Sequence, residues 1–143
     1  MTRKELFDWC KQQYNTEPEY PWHDWNAVLR HTDNNKWYCV ILEVGQDKLG
    51  LPGSGEVDVL NVKCDPILTG SYRPQDGFFP AYHMNKENWL SILLDEPKLD
   101  DSIRELVALS YSLTAPKKRI RNADAEETET DKRTEKADPP AKG

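Results

Sequence analysis

Apolar side chains recur along the chain with two different periods, and the changes of period mark the elements. Leu6, Trp9, Cys10, Gln13 and Tyr14 share one face at helical spacing, with Lys4, Asp8 and Lys11 largely outside it. Thr2 followed three positions later by Glu5 is a capping-box pattern, so a helix is predicted from Thr2 to about Tyr14. Pro18 and Pro21 cannot continue it. Short β-type runs follow. Ala27 to Arg30 reads as a strand, the segment from His31 to Lys36 has turn chemistry, and Trp37 to Val44 is the strongest strand of the chain. Apolar residues occupy both of its faces, which predicts that both are covered.

The stretch from Gly45 to Gly55 carries four glycines and Pro52 and reads as a loop. Val57 to Lys63 is the next strand. Asp65 before Pro66 is an N-cap followed by proline at the first helical position, opening a short helix that stops near Gly70 or Arg73. Phe78 to His83 reads as a strand, with Pro80 marking an edge or a bulge. Asn85 then caps a predicted helix bearing Trp89, Leu90, Leu93 and Leu94. Ser102 with Glu105 opens a last one bearing Ile103, Leu106, Val107, Ser110 and Tyr111, which Pro116 ends. The expected fold class is α+β: one antiparallel β-sheet backed by an N-terminal helix and two C-terminal helices, in a single domain over residues 1–115.

Residues 116–143 differ in kind. Their apolar content is four alanines and Ile120, too little to offset the entropy of ordering, so a disordered charged tail is expected. Charge divides along the same line. Residues 1–115 hold 11 Lys/Arg against 18 Asp/Glu, whereas the tail holds 8 against 7 and begins with the basic run Lys117, Lys118, Arg119, Ile120, Arg121. A net-acidic domain disfavours broad attraction to nucleic acid but leaves room for a local basic face. The three cysteines, Cys10, Cys39 and Cys64, are widely spaced and odd in number, which points to buried free thiols rather than a disulfide framework or a zinc site. No stretch approaches the ~18 apolar residues of a membrane span, and the first residues lack the apolar core of a signal peptide. A cytoplasmic protein without cofactor or metal, and with no membrane association, is expected.

Three stretches in order carry a resemblance: Asn61-Val62-Lys63-Cys64-Asp65-Pro66, then Tyr82-His83-Met84-Asn85-Lys86 with Trp89 three further on, then Ser110-Tyr111-Ser112-Leu113, all after Tyr20-Pro21-Trp22. The chain from about Leu6 to Leu113 resembles the MmcQ/YjbR family, although Asn88 stands where relatives often have His. The resemblance implies a CyaY-like fold and DNA binding through a double wing of hairpins.

Candidate chemistry is sparse. His23 with Asp24, and Cys64 with His83, could suggest acid–base or nucleophilic work, but neither has a third partner or an oxyanion donor. His23, His31 and His83 lack metal-ligand spacing. The first helix carries only Glu5 and Asp8 among basic residues, unlike the acidic ridge with which frataxin-like folds bind iron. No enzyme is expected. The binding candidates are basic: Lys63 at a strand end, Arg73 at a helix end, and His83 and Lys86 at the next junction. They form one edge if the two junctions are neighbours, with helix N-termini at Pro66 and Lys86 offering N–H groups to phosphate. Lys117, Lys118, Arg119 and Arg121 would add phosphate contacts. Against this, the same cations could pair with local carboxylates or simply be solvated, and the tail could serve only solubility. Trp22 and Trp25 could stack on bases or cover a core edge, and Trp89 is expected to pack in the core. The two partner classes are therefore DNA and, alternatively, another protein meeting exposed aromatics on an acidic surface.

Overall fold

The computed structural model describes residues 1–116. It is an antiparallel five-stranded sheet flanked by an N-terminal helix and two later ones. The elements are α1 (Arg3–Tyr14), β1 (Ala27–Arg30), β2 (Trp37–Gly45), β3 (Glu56–Lys63), α2 (Pro66–Tyr72), β4 (Phe78–Pro80), β5 (Trp89–Leu93) and α3 (Asp100–Thr114), with sheet order β1-β2-β3-β5-β4. A single turn of 3-10 helix, Gln46–Leu49, lies in the glycine-rich loop after β2, and another, Pro97–Leu99, leads into α3.

The capping box at Thr2 forms as predicted, the Thr2 hydroxyl accepting from the Glu5 N–H and the Glu5 carboxylate from the Thr2 N–H. Asp65 caps α2 by accepting from the Leu68 N–H at 3.0 Å. Three expectations are corrected. The helix predicted from Asn85 is a single turn followed by β5. Asn85 does cap, its Oδ1 accepting from the Glu87 and Asn88 N–H groups at 2.8 and 3.1 Å, but Trp89 already pairs with Lys63 across the ladder. The last helix starts at Asp100, so the Ser102–Glu105 pair is interior to it. The strand predicted to reach His83 ends at Pro80, which has no N–H to extend the ladder.

Both faces of the sheet are buried. On one, Leu6 and Cys10 of α1 and Ile103, Leu106 and Val107 of α3 cover Leu29, Ile41, Leu60, Leu90 and Ile92. On the other, Val28, Val40, Leu42, Val59 and Trp89 form a second cluster beneath Trp37, Leu49, Tyr82 and Met84, which come from a strand end, the 3-10 turn and a loop rather than from an α-helix. All three cysteines are free and buried. Burial pushes the Cys39 thiol well up.

One end of the sheet is closed by α3. The Ser110 hydroxyl donates to the Tyr38 carbonyl at 2.7 Å and accepts from the Lys63 N–H at 2.8 Å, which ties the helix to the ends of β2 and β3. One turn later His31, buried between β1 and β2, donates from Nε2 to the Tyr111 carbonyl at 3.0 Å and sits 2.9 Å from the Thr114 hydroxyl. Its ring meets Tyr111 at 4.1 Å, tilted by 31°, and Tyr111 stacks at 3.9 Å on Tyr14.

Burial pushes the His31 imidazole below its ordinary value of 6.5. The unfolded chain therefore takes up this proton first. The stability His31 contributes is whole above about 6.5 and is lost as pH falls through the depressed folded value. Urea midpoints of the native chain and His31→Gln should converge as pH drops through that window. A difference between them that does not change with pH would contradict the assignment.

Candidate nucleic-acid interface

The two junctions singled out in the sequence are neighbours. Lys63 ends β3, and Cys64 leads through the Asp65 cap into α2, whose C-cap is Arg73. Residues 81–88 connect β4 to β5 on the adjoining side. The Cys64 N–H donates to the Asn88 carbonyl at 2.8 Å, the Thr69 hydroxyl contacts the Glu87 carbonyl at 3.3 Å, and Arg73 Nη2 donates to the Lys86 carbonyl at 3.1 Å. Under the same loop the Asn61 amide donates to the Tyr82 carbonyl at 2.9 Å, while the Ser91 hydroxyl accepts from the Tyr82 N–H at 3.0 Å and donates to Asn61 Oδ1. Asn61 and Ser91 are wholly buried. This satisfied network fixes the loop against the sheet. Polar residues in mid-strand carried no sequence signal for it.

The four basic candidates are thus in one region but do different things. The Lys63 ammonium lies 6.0 Å from the centroid of the Trp89 ring. Lys86 turns back to donate to the Ala81 carbonyl at 2.9 Å, closing its own loop. Arg73 is half-buried, its Nε without a hydrogen-bond partner among the described residues. His83 is exposed in a left-handed conformation (φ 63°), its ring 4.2 Å from that of Tyr82. Among the described residues neither Arg73 nor Lys86 is ion-paired, and each spends a donor on a carbonyl.

Two features weaken a phosphate site on this edge alone. Asp65, Asp76 and Glu87 share the stretch from 63 to 88 with Lys63, Arg73 and Lys86, so its formal charge is zero. The expected free N–H groups are also used. The Leu68 N–H goes to Asp65, no helix starts at Lys86, and the N–H groups of Glu87 and Asn88 go to Asn85. Lys117, Lys118, Arg119 and Arg121 lie outside the described residues. Their point of departure does not: α3 ends beside the β1–β2 turn, where the Asn34 amide donates to the Thr114 carbonyl at 3.0 Å, at the end of the sheet that Lys63 also occupies.

The aromatic candidates divide. Trp89 is buried as expected, although on a strand. Trp25 is 53 % exposed and lies over the Arg3 guanidinium at 4.3 Å, while Trp22 is 44 % exposed and meets Trp37 edge-on at 5.6 Å. Both have a packing partner, yet each leaves much of its surface open. The remaining chemistry does not assemble. Burial raises the Cys64 thiol to about 11, which leaves little thiolate at neutral pH. Asp24 accepts from the Asn26 N–H at 2.9 Å, and Glu5 and Asp8 are taken by the Thr2 cap and by Lys4. Among the described residues no three His, Cys, Asp or Glu side chains are grouped to hold a metal ion, and no helix is long and apolar enough to cross a membrane.

Known proteins place this architecture. The chain is 43 % identical over 116 residues to the uncharacterized protein YyaQ of Bacillus subtilis (strain 168), which covers 80 % of this chain and 98 % of YyaQ. A crystal structure of a Pseudomonas syringae protein matches with a TM-score of 0.77 at 40 % identity, covering 80 % of this chain and all of that one (100 %). Deinococcus radiodurans protein DR2400, at 24 % identity over 88 % of this chain and 86 % of its own, shares the fold with a TM-score of 0.61. The YjbR family model spans residues 11–113, nearly the whole folded part, and the chain belongs to the YjbR family.

Proposed function

We propose that this small, non-enzymatic, CyaY-like domain binds nucleic-acid backbone at the end of its sheet, in a reducing cytoplasmic setting suited to three free thiols. Lys63, Arg73, His83 and Lys86 form the fixed part of the contact, and Lys117, Lys118, Arg119 and Arg121 supply most of the charge. The observation that carries this reading is convergence. The β3–α2 and β4–β5 junctions are bonded to each other through Arg73 and Lys86, and α3, which the basic run follows in sequence, ends at the same end of the sheet. Since the edge itself is electrically balanced, affinity should depend chiefly on residues 117–121 and orientation on the edge.

A salt titration with a short DNA duplex tests this. The full chain should lose affinity steeply as salt rises. Replacing Lys117, Lys118, Arg119 and Arg121 by Gln should flatten the logarithmic slope by roughly 3–4, at ~0.9 for each phosphate no longer neutralised. Lys63→Gln with Arg73→Gln should weaken binding further. Unchanged affinity in both variants would remove the proposal.

A second reading has its own support. Tyr20, Trp22 and Trp25 are 41, 44 and 53 % exposed, and large aromatics left open on a small domain suit a protein partner. Binding through them would depend weakly on salt and would be indifferent to the tail.

A further inference from the structure

A β-bulge sets the composition of the loop-covered face at the end of the sheet where Lys63 lies. Leu29 pairs with Cys39 but Arg30 pairs with Trp37, so Tyr38 is an extra residue in β2. Tyr38 and Cys39 both pack in the helix-covered cluster, and Trp37 is turned to the other face. Two strands on, Lys63 pairs with Trp89, which packs on that same face, and the Lys63 ammonium lies 6.0 Å from the Trp89 ring centroid. The next pair along, Asn61 and Ser91, holds the backbone of Tyr82, whose ring packs there with Met84. In the strand order β2-β3-β5, Lys63 therefore stands between Trp37 on one side and Trp89 with the Tyr82 loop on the other.

Each flank ends in an exposed ring on a firm support. Trp22, 44 % exposed, meets the half-buried Trp37 edge-on at 76°, which leaves much of the Trp22 ring open. His83 is exposed with its ring 4.2 Å from that of Tyr82. Its left-handed backbone is costly for a residue other than glycine, and the loop around it is fixed by Asn61, Ser91, Lys86 and Arg73. β2 and β5 are two strand spacings apart, roughly 10 Å, so the two rings suit two different ligand groups. Trp25 belongs elsewhere, over Arg3 beside Asp58. Of the charges nearby, Arg30 is offset by Glu19, and residues 63–88 are formally neutral.

This chemistry favours unpaired bases. A duplex keeps its base faces inside its own stack and offers phosphates, for which a neutral edge has little attraction. An unpaired base gains stacking on an aromatic ring whatever its identity, and leaves its phosphate to a cation. A protein partner closing over the same rings would have to bury the Lys63 ammonium among them, which is costly. Resting on the nucleic-acid reading above, we propose that the strand this domain binds is single, with one base stacked on Trp22, a second on His83, and Lys63 at the phosphate between them.

Two strands of equal length and equal phosphate count test it on the full chain: an oligothymidylate and its abasic counterpart. The oligothymidylate should bind more tightly, by roughly 5-fold or more for each stacked base. Trp22→Ala should shrink that preference and leave affinity for the abasic strand nearly unchanged, while Trp22→Phe should keep most of it. His83→Asn, which tolerates the left-handed backbone but lacks the ring, should act as Trp22→Ala does. In NMR spectra the oligothymidylate should shift the Trp22 indole N–H signal and spare that of Trp25. Equal affinity for the two strands overturns this inference and leaves the backbone reading standing, since phosphates alone then account for binding. A preference that survives both Trp22→Ala and His83→Asn overturns it as well, because the bases then stack elsewhere. Binding of neither strand removes both readings and leaves the rings to a protein partner.

Discussion

Replacing Asp58 by alanine is expected to destabilise the domain by about 3 kcal/mol, toward the lower end of the range for stranding a buried charge. Arg3, on the first turn of α1, is 6 % exposed, and its guanidinium donates to both Asp58 oxygens, at 2.9 and 3.3 Å. It also donates to the Trp25 carbonyl and lies under the Trp25 ring. Removing Asp58 leaves a buried cation with only a carbonyl and a ring face. The lower end applies because the Asp58 side chain keeps 26 % exposure, so water can replace part of what is lost. Arg3→Met combined with Asp58→Leu should recover most of the loss, since a packed apolar pair often equals a buried ion pair. Urea unfolding of the three variants measures this. A cost below about 1 kcal/mol for Asp58→Ala would mean the pair is solvated rather than structural.

Trp89→Ala is expected to cost about 3–5 kcal/mol, as for other large buried aromatics truncated in a core. Trp89 is 5 % exposed and belongs to the loop-covered cluster, where no helix can settle into the space it leaves. The same change removes the ring beneath the Lys63 ammonium. Trp22→Ala should by contrast cost little stability, because Trp22 meets Trp37 by one edge and is 44 % exposed. If Trp89→Ala were tolerated as easily as Trp22→Ala, the second core would not be a core. Thermal unfolding of the two side by side decides it.

Taken together these variants separate support from contact. Asp58 and Trp89 hold the frame, and their loss should be read in stability. Residues 117–121 and the Lys63–Lys86 edge are read in salt-dependent binding.

The chain order of α1, β1, β2, β3 and α2 is determined by sequence alone, because their signals are local. The Thr2–Glu5 box, the Asp65-Pro66 start and the period-two run of β2 each act within a few residues. The family resemblance, carried by short motifs, is equally local. Residues 85–94 show where local reading fails. Asn85 is a true cap, and Trp89-Leu90-Ser91-Ile92-Leu93 is apolar on both sides, so periodicity cannot distinguish a buried helix from a strand covered on both faces. Pairing with β3 and β4 decides in favour of the strand, a choice made between residues some thirty apart in sequence, such as Asn61 and Ser91. The same holds for the candidate site. That Lys63, Arg73, His83 and Lys86 are basic can be read directly. That Lys86 spends its ammonium on Ala81, that Arg73 reaches the Lys86 carbonyl, and that α3 ends beside Asn34 of the β1–β2 turn are facts of packing. Residue type and short-range spacing are properties of the chain, whereas which donor finds which acceptor depends on what the fold brings within about 3 Å.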